Sequence, residues 1–197
     1  MMKRRLAFFF LALVGTVVLA WVTVPATILP PVAPANPTTV HVVEIGIHAR
    51  LLMPVGDRWR QYGFGDWDYY ARREQDLLSG LQALLWPTPG ALGWGEFESL
   101  EAYRGAFEAV GGEILSFDVP LERVEELQDS LHSRFDRQIP AGQVFNEVNN
   151  LRLVRDDQTY SVFHNSNHEL AGWLEALDCR VRHLGLWISF RLGNPTG

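Results

Sequence analysis

The chain has 197 residues, 47% of them apolar, which suits about one globular domain and is too apolar for a disordered one. Its 17 Lys and Arg against 23 Asp and Glu give a formal charge of -6, which argues against nonspecific nucleic-acid binding, a task that needs a basic face. There is no GxxxxGK[ST] and no GxGxxG stretch, so the common phosphate-cradling loops are excluded.

The chain opens with a basic cluster, Lys3, Arg4 and Arg5, followed by a charge-free apolar run from Leu6 to Val24. That run is close to the ~20 residues a helix needs to cross a bilayer and longer than an ordinary signal-peptide core. It predicts a membrane anchor over residues 1–24, a single pass of the bacterial inner membrane with the domain facing the periplasm or exterior. The alternative is a signal segment that is cleaved, releasing a secreted protein; Ala33-Pro-Ala35 resembles a cleavage site but lies far beyond the apolar core. Residues 25–37 read as an extended Pro/Ala-rich linker, which leaves 38–197 as one domain.

Within that domain, Thr38 to Val55 is a β-branched run interrupted at Gly46, with His48 just beyond. Tyr62 to Tyr70 is aromatic and glycine-spaced, which predicts a strand containing a bend, with Asp66 inside it. Leucines at 77, 78, 81, 84 and 85 predict a helix over 72–86, closed by Pro87-Thr-Pro-Gly90. A second helix is predicted over 99–110, a strand over 113–119, and a third helix starting at Asp118 or Pro120 with Leu121, Val124, Leu127, Leu131 and Phe135 on one stripe. Ile139 to Asp157 is polar and Asn-rich and reads as a long loop. Tyr160 to His164 reads as a strand, Asn167 to Asp178 as a helix, and Leu184 to Arg191 as a last strand. Strands and helices without a regular βαβ period predict an α+β domain.

Ser166 lies at the turn from strand to helix, where the first free N–H groups of a helix carry partial positive charge. Two roles follow. As a nucleophile it needs an imidazole to take its proton and an acid to fix that imidazole. As a helix cap it satisfies S-x-x-E with Glu169, a capping box of ~1 kcal/mol that would occupy the hydroxyl. Cys179, the only cysteine, follows Asp178 at a predicted helix C-terminus, where the dipole raises a thiol pKa; it reads as a packing residue. His164 and His168, with His48 and Asp66, offer nitrogen and oxygen ligands for zinc, but not at the i, i+4 spacing of one helix face. The aromatic cluster Trp59, Tyr62, Phe64, Trp67, Tyr69 and Tyr70 serves either core packing or a glycan or lipid ligand.

Three pieces resemble a bacterial family first noted near urease loci, membrane-anchored or exported and similar to circularly permuted NlpC/P60 cysteine peptidases. They are Gly46-Ile-His-Ala49 with Leu51-Leu-Met-Pro54, then Tyr62-Gly-Phe-Gly-Asp-Trp-Asp-Tyr-Tyr70, then Asn165-Ser-Asn-His-Glu169. The resemblance implies an NlpC/P60-like domain with an antiparallel sheet packed against helices. It implies His48 as the imidazole, Asp66 as its orienting acid, and Ser166 where the family carries cysteine. A serine hydroxyl cannot be ionised by the helix dipole as a thiol can, so the expected function is a cell-envelope hydrolase, amide- or ester-directed, of lost or weak activity. The alternative is a non-catalytic periplasmic binding or structural protein. The expected partners are the membrane, through the N-terminal helix, and an envelope peptide, glycan or lipid; no cofactor and no metal is implied.

Overall fold

The structure is a computed structural model that describes residues 9–10, 12–17, 23–46, 48–71, 86–107, 112–183 and 189–194. Its main body is a seven-stranded sheet in the order β6-β2-β3-β4-β5-β8-β7, every neighbouring pair antiparallel. The strands are β2 (Pro37–Ile45), β3 (His48–Val55), β4 (Arg58–Asp66), β5 (Thr88–Phe97), β6 (Ile114–Pro120), β7 (Gln143–Asn146) and β8 (Leu151–Tyr160). A smaller sheet joins β1 (Ala26–Leu29) to β9 (Arg180–Arg182), antiparallel, and to β10 (Phe190–Leu192), parallel. Four labelled helices complete the fold: α1 (Trp67–Ala71), α2 (Leu100–Phe107), α3 (Leu121–Gln138) and α4 (Ser166–Ala176).

The helical stripe predicted after Pro120 is α3, with Val124, Leu127, Leu131 and Phe135 all buried. It packs with α4 on the sheet face that carries Val40, Val42, Ala49, Leu51 and Met53. The opposite face carries Val43, Leu52 and Phe97, covered by Tyr103 and Phe107 of α2. Alternating residues of one strand thus enter different cores, which is why the Thr38–Val55 run is apolar at nearly every position. Gly46, at φ +63°, turns that run back on itself, so that Ile45 pairs with His48. The predicted helix over 72–86 lies outside the described residues apart from Trp86, and the predicted strand over 184–191 apart from its last three positions.

Two expectations are corrected. The expected α+β domain of NlpC/P60 type, an antiparallel sheet packed against helices, gives way to a mixed α/β fold that is mostly sheet and carries few helices among the described residues. Part of the reason lies in the Asn-rich stretch read as a loop, where β7 and β8 form instead. Leu151, Leu153, Val154 and Asp156 face inward while Arg152 and Arg155 face water, so half of the strand's residues are polar by position. Within the Pro/Ala-rich stretch, too, Ala26, Ile28 and Leu29 are buried as the central strand of the smaller sheet.

The second correction concerns the membrane helix expected over residues 1–24. Among the described residues no helix is long and apolar enough to cross a membrane. Helix is described there at residues 9–10, 12–17 and 23.

Candidate functional site

His48 is the first residue of β3 and Ser166 the first of α4, which packs against β3 and β4. The packing brings their side chains together: His48 Nδ1 lies 3.1 Å from Ser166 Oγ. Ser166 is only 4% exposed and His48 is half-buried. Burial, and secondarily the positive charge of Arg50, holds the His48 pKa down at about 4, so the imidazole is neutral at pH 7.

The hydroxyl is available for this contact because the cap sits one residue earlier. Asn165, in extended conformation, is the N-cap of α4, and its Oδ1 accepts the backbone N–H groups of Asn167 at 3.0 Å and His168 at 3.2 Å. The capping box expected for Ser166 and Glu169 is therefore absent. Glu169 turns instead to Arg134 of α3, whose guanidinium also holds both oxygens of the buried Asp156, and its second oxygen lies 3.1 Å from His164 Nε2. This group of charges ties the start of α4 to α3 and β8.

Asp66 is placed elsewhere. It ends β4 and starts α1, where Oδ1 accepts the Tyr69 N–H at 2.8 Å and Oδ2 accepts the Thr88 hydroxyl. A carboxylate that begins a helix in this way is doing a cap's work, and its oxygens point to α1 and β5 rather than to the imidazole. The rings nearest His48 are instead Tyr69, centroids 6.0 Å apart, and Tyr70, at 5.5 Å edge-on. Tyr70 reaches that position by lying over Gly65, where any Cβ would collide with its ring.

Sequence reading missed the group with most influence behind the pair. Arg50 stands two residues after His48, is 2% exposed, and donates to neutral acceptors: Gln61 Oε1 at 2.9 Å, the Asn149 carbonyl at 3.3 Å and Asn149 Oδ1. Its guanidinium also faces the Phe107 ring at 5.2 Å. An arginine inside an otherwise apolar strand was the available signal, since a buried cation must find acceptors.

The other sequence candidates disperse. His168 Nδ1 lies 2.9 Å from its own cap residue's Asn165 Oδ1, and His164 from Glu169 as described. Among the described residues no group of three or more His, Cys, Asp or Glu is arranged to hold a metal ion. Cys179 is buried, and burial first, then Asp178, pushes its thiol up to about 12. Of the aromatic cluster, Tyr62, Phe64 and Tyr70 are buried in core clusters, with Trp59, Trp67 and Tyr69 packed against them.

Chemically, the pair offers a neutral imidazole against a hydroxyl. Two features oppose attack by that hydroxyl. Among the described residues the charge acting on His48 is that of Arg50, so a cation formed there would meet burial and a like charge. In addition, two of the helix's first N–H groups, the donors that would stabilise an oxyanion, are already taken by Asn165. Set against known protein families, curated proteins and solved structures, the chain matches none.

Proposed function

We propose that the chain is a hydrolase-type protein whose catalysis at Ser166 is lost or much reduced, the Ser166–His48 pair being what remains of an acyl-transfer site. The observation that carries this reading is the 3.1 Å contact between His48 Nδ1 and a helix-start hydroxyl that has no capping duty. The reduction in activity rests on the missing acid, the occupied helix donors and the burial of Ser166. An amide or ester of the cell envelope is the proposed former substrate class, on the strength of the three sequence pieces that resemble a cysteine-peptidase relative.

Hydrolysis of a neutral aryl ester tests the reading. The unaltered chain should turn over the ester no more than a few-fold faster than its Ser166→Ala variant. The Ser166→Cys thiol should react with iodoacetamide slowly at pH 7, because a neutral His48 and a capped helix end supply little to stabilise a thiolate. Turnover that falls by a thousand-fold in both Ser166→Ala and His48→Ala would overturn it and establish a working enzyme.

A further inference from the structure

The seven-stranded sheet holds a second serine–histidine pair, on different strands from the first. His41 of β2 and Ser116 of β6 stand directly opposite each other in register, with His41 Nδ1 2.8 Å from Ser116 Oγ. His41 is 4% exposed, its ring tilted against Trp59 with centroids 4.7 Å apart, and its Nε2 is buried with no hydrogen-bond partner. Ser116, by contrast, is exposed, on a strand at the edge of the sheet. Of the two pairs, this is the one whose hydroxyl a reagent in water can reach.

We propose that Ser116 is a nucleophilic site, activated by His41 as general base, that accepts an acyl group from an activated carboxylic ester. The hydroxyl oxygen forms a bond to the ester carbonyl carbon as the bond to the leaving alkoxide breaks. The hydroxyl proton passes to His41 Nδ1 and from there to the departing alkoxide, leaving an acyl-serine and an alcohol. This requires the resting proton of His41 to sit on Nε2, so that Nδ1 accepts from Ser116. Two observations support the assignment. The contact is shorter than that of the Ser166 pair. The imidazole is locked by burial and by Trp59, so its lone pair stays aimed at the hydroxyl. Asp118, on the same face of β6, is held by the Thr39 hydroxyl at 2.7 Å and is not part of the pair.

His41 is neutral throughout the neutral range, its pKa lowered to about 4 by burial and then by Arg104. The base is thus ready without deprotonation, although it is a weak one, which suits activated esters and not amides.

The test is labelling of the full chain with an alkyl fluorophosphonate, in which an oxygen–phosphorus bond forms and fluoride leaves, followed by peptide mapping. The adduct should fall on Ser116 at least tenfold faster than on Ser130, an exposed serine of α3 that serves as an internal control. It should persist in Ser166→Ala and disappear in Ser116→Ala. His41→Gln should slow labelling tenfold or more. Labelling of Ser116 no faster than Ser130 in the unaltered chain overturns the proposal, and that comparison needs no variant to fold. An adduct on Ser166 instead would overturn it and would also count against the reduced site proposed there.

Discussion

Asn165 caps α4 through its side-chain oxygen, and this leaves the neighbouring Ser166 hydroxyl free to meet His48 at 3.1 Å. The division of labour between adjacent residues is directly measurable. Asn165→Ala should cost about 1 kcal/mol and speed amide exchange at Asn167 and His168 roughly fivefold. Ser166→Ala should leave exchange at those two amides unchanged. Equal fraying in both variants would return the cap to Ser166.

Asp66 begins α1, and its oxygens are committed to Tyr69 N–H and the Thr88 hydroxyl. Asp66→Ala should therefore destabilise the fold by about 1–2 kcal/mol, through a lost cap and a stranded hydroxyl. His48 should still titrate near the value of about 4 set by burial and Arg50. Histidine ring resonances followed from pH 3 to 8 would decide the matter. A further fall of the His48 midpoint in the variant would mean that Asp66 does support the imidazolium.

Stability should fall with acid over a defined window. His41 and His48 are both held at about 4 when folded, against an ordinary value of about 6.5 in the unfolded chain. Between those values the unfolded state binds more protons, so unfolding becomes easier as pH drops from about 6.5 to 4, and the effect is complete below 4. Each histidine contributes on the order of 2 kcal/mol to that loss. Denaturant midpoints at pH 7 and pH 5 should differ less in a His41→Gln, His48→Gln double variant than in the unaltered chain.

Arg134 serves two carboxylates at once, those of Asp156 and Glu169. Arg134→Met leaves both buried without their cation, and a loss of about 3–5 kcal/mol is expected. Adding Asp156→Asn and Glu169→Gln should restore a substantial part of it. A thermodynamic cycle by chemical denaturation would show the coupling, and strict additivity would mean that the three groups act alone.

Residues buried in strong periodic patterns were legible from sequence. The α3 stripe, the β2–β3 run broken at Gly46, and the helix after Ser166 all sit where spacing placed them. β8 was hidden because its outward positions are Arg and Asp, which gave a half-buried strand the composition of a loop. β1 was hidden by the prolines on both sides of Ala26–Leu29, which suggested a spacer although Ile28 and Leu29 are core residues. In the site, Ser166 stood out by its place at a strand-to-helix turn and His48 became its partner only through a resemblance, and Asn-Ser-Asn at 165–167 offers several adjacent capping side chains, so an S-x-x-E match lands one residue late. Arg50 and the His41–Ser116 pair depend on contacts across strands, which no local pattern encodes.

β1 also bears on where the domain begins. A chain starting at Thr38 lacks Ala26, Ile28 and Leu29, and Asn36, whose carbonyl receives the Leu121 N–H at 3.1 Å. It should be less stable than one starting at Pro25 by several kcal/mol, since burial of Ile28 and Leu29 alone contributes about 1.5–3 kcal/mol each. Comparable melting temperatures for the two would show that β1 is dispensable.

The same strand sets an order of events during synthesis. Thr27 and Arg191 are joined across 164 positions of the chain, and among the described residues the sheet neighbours of β1 are β9 and β10. Ala26 and Ile28 are therefore made among the first residues described and find their partners only after nearly all the others exist. Closing so long a loop is slow, because its entropy is lost before any contact is gained. In the interval the large sheet can form by hairpins while this apolar strand waits uncovered, a stage at which a chaperone or a neighbouring chain has its best opportunity to bind it.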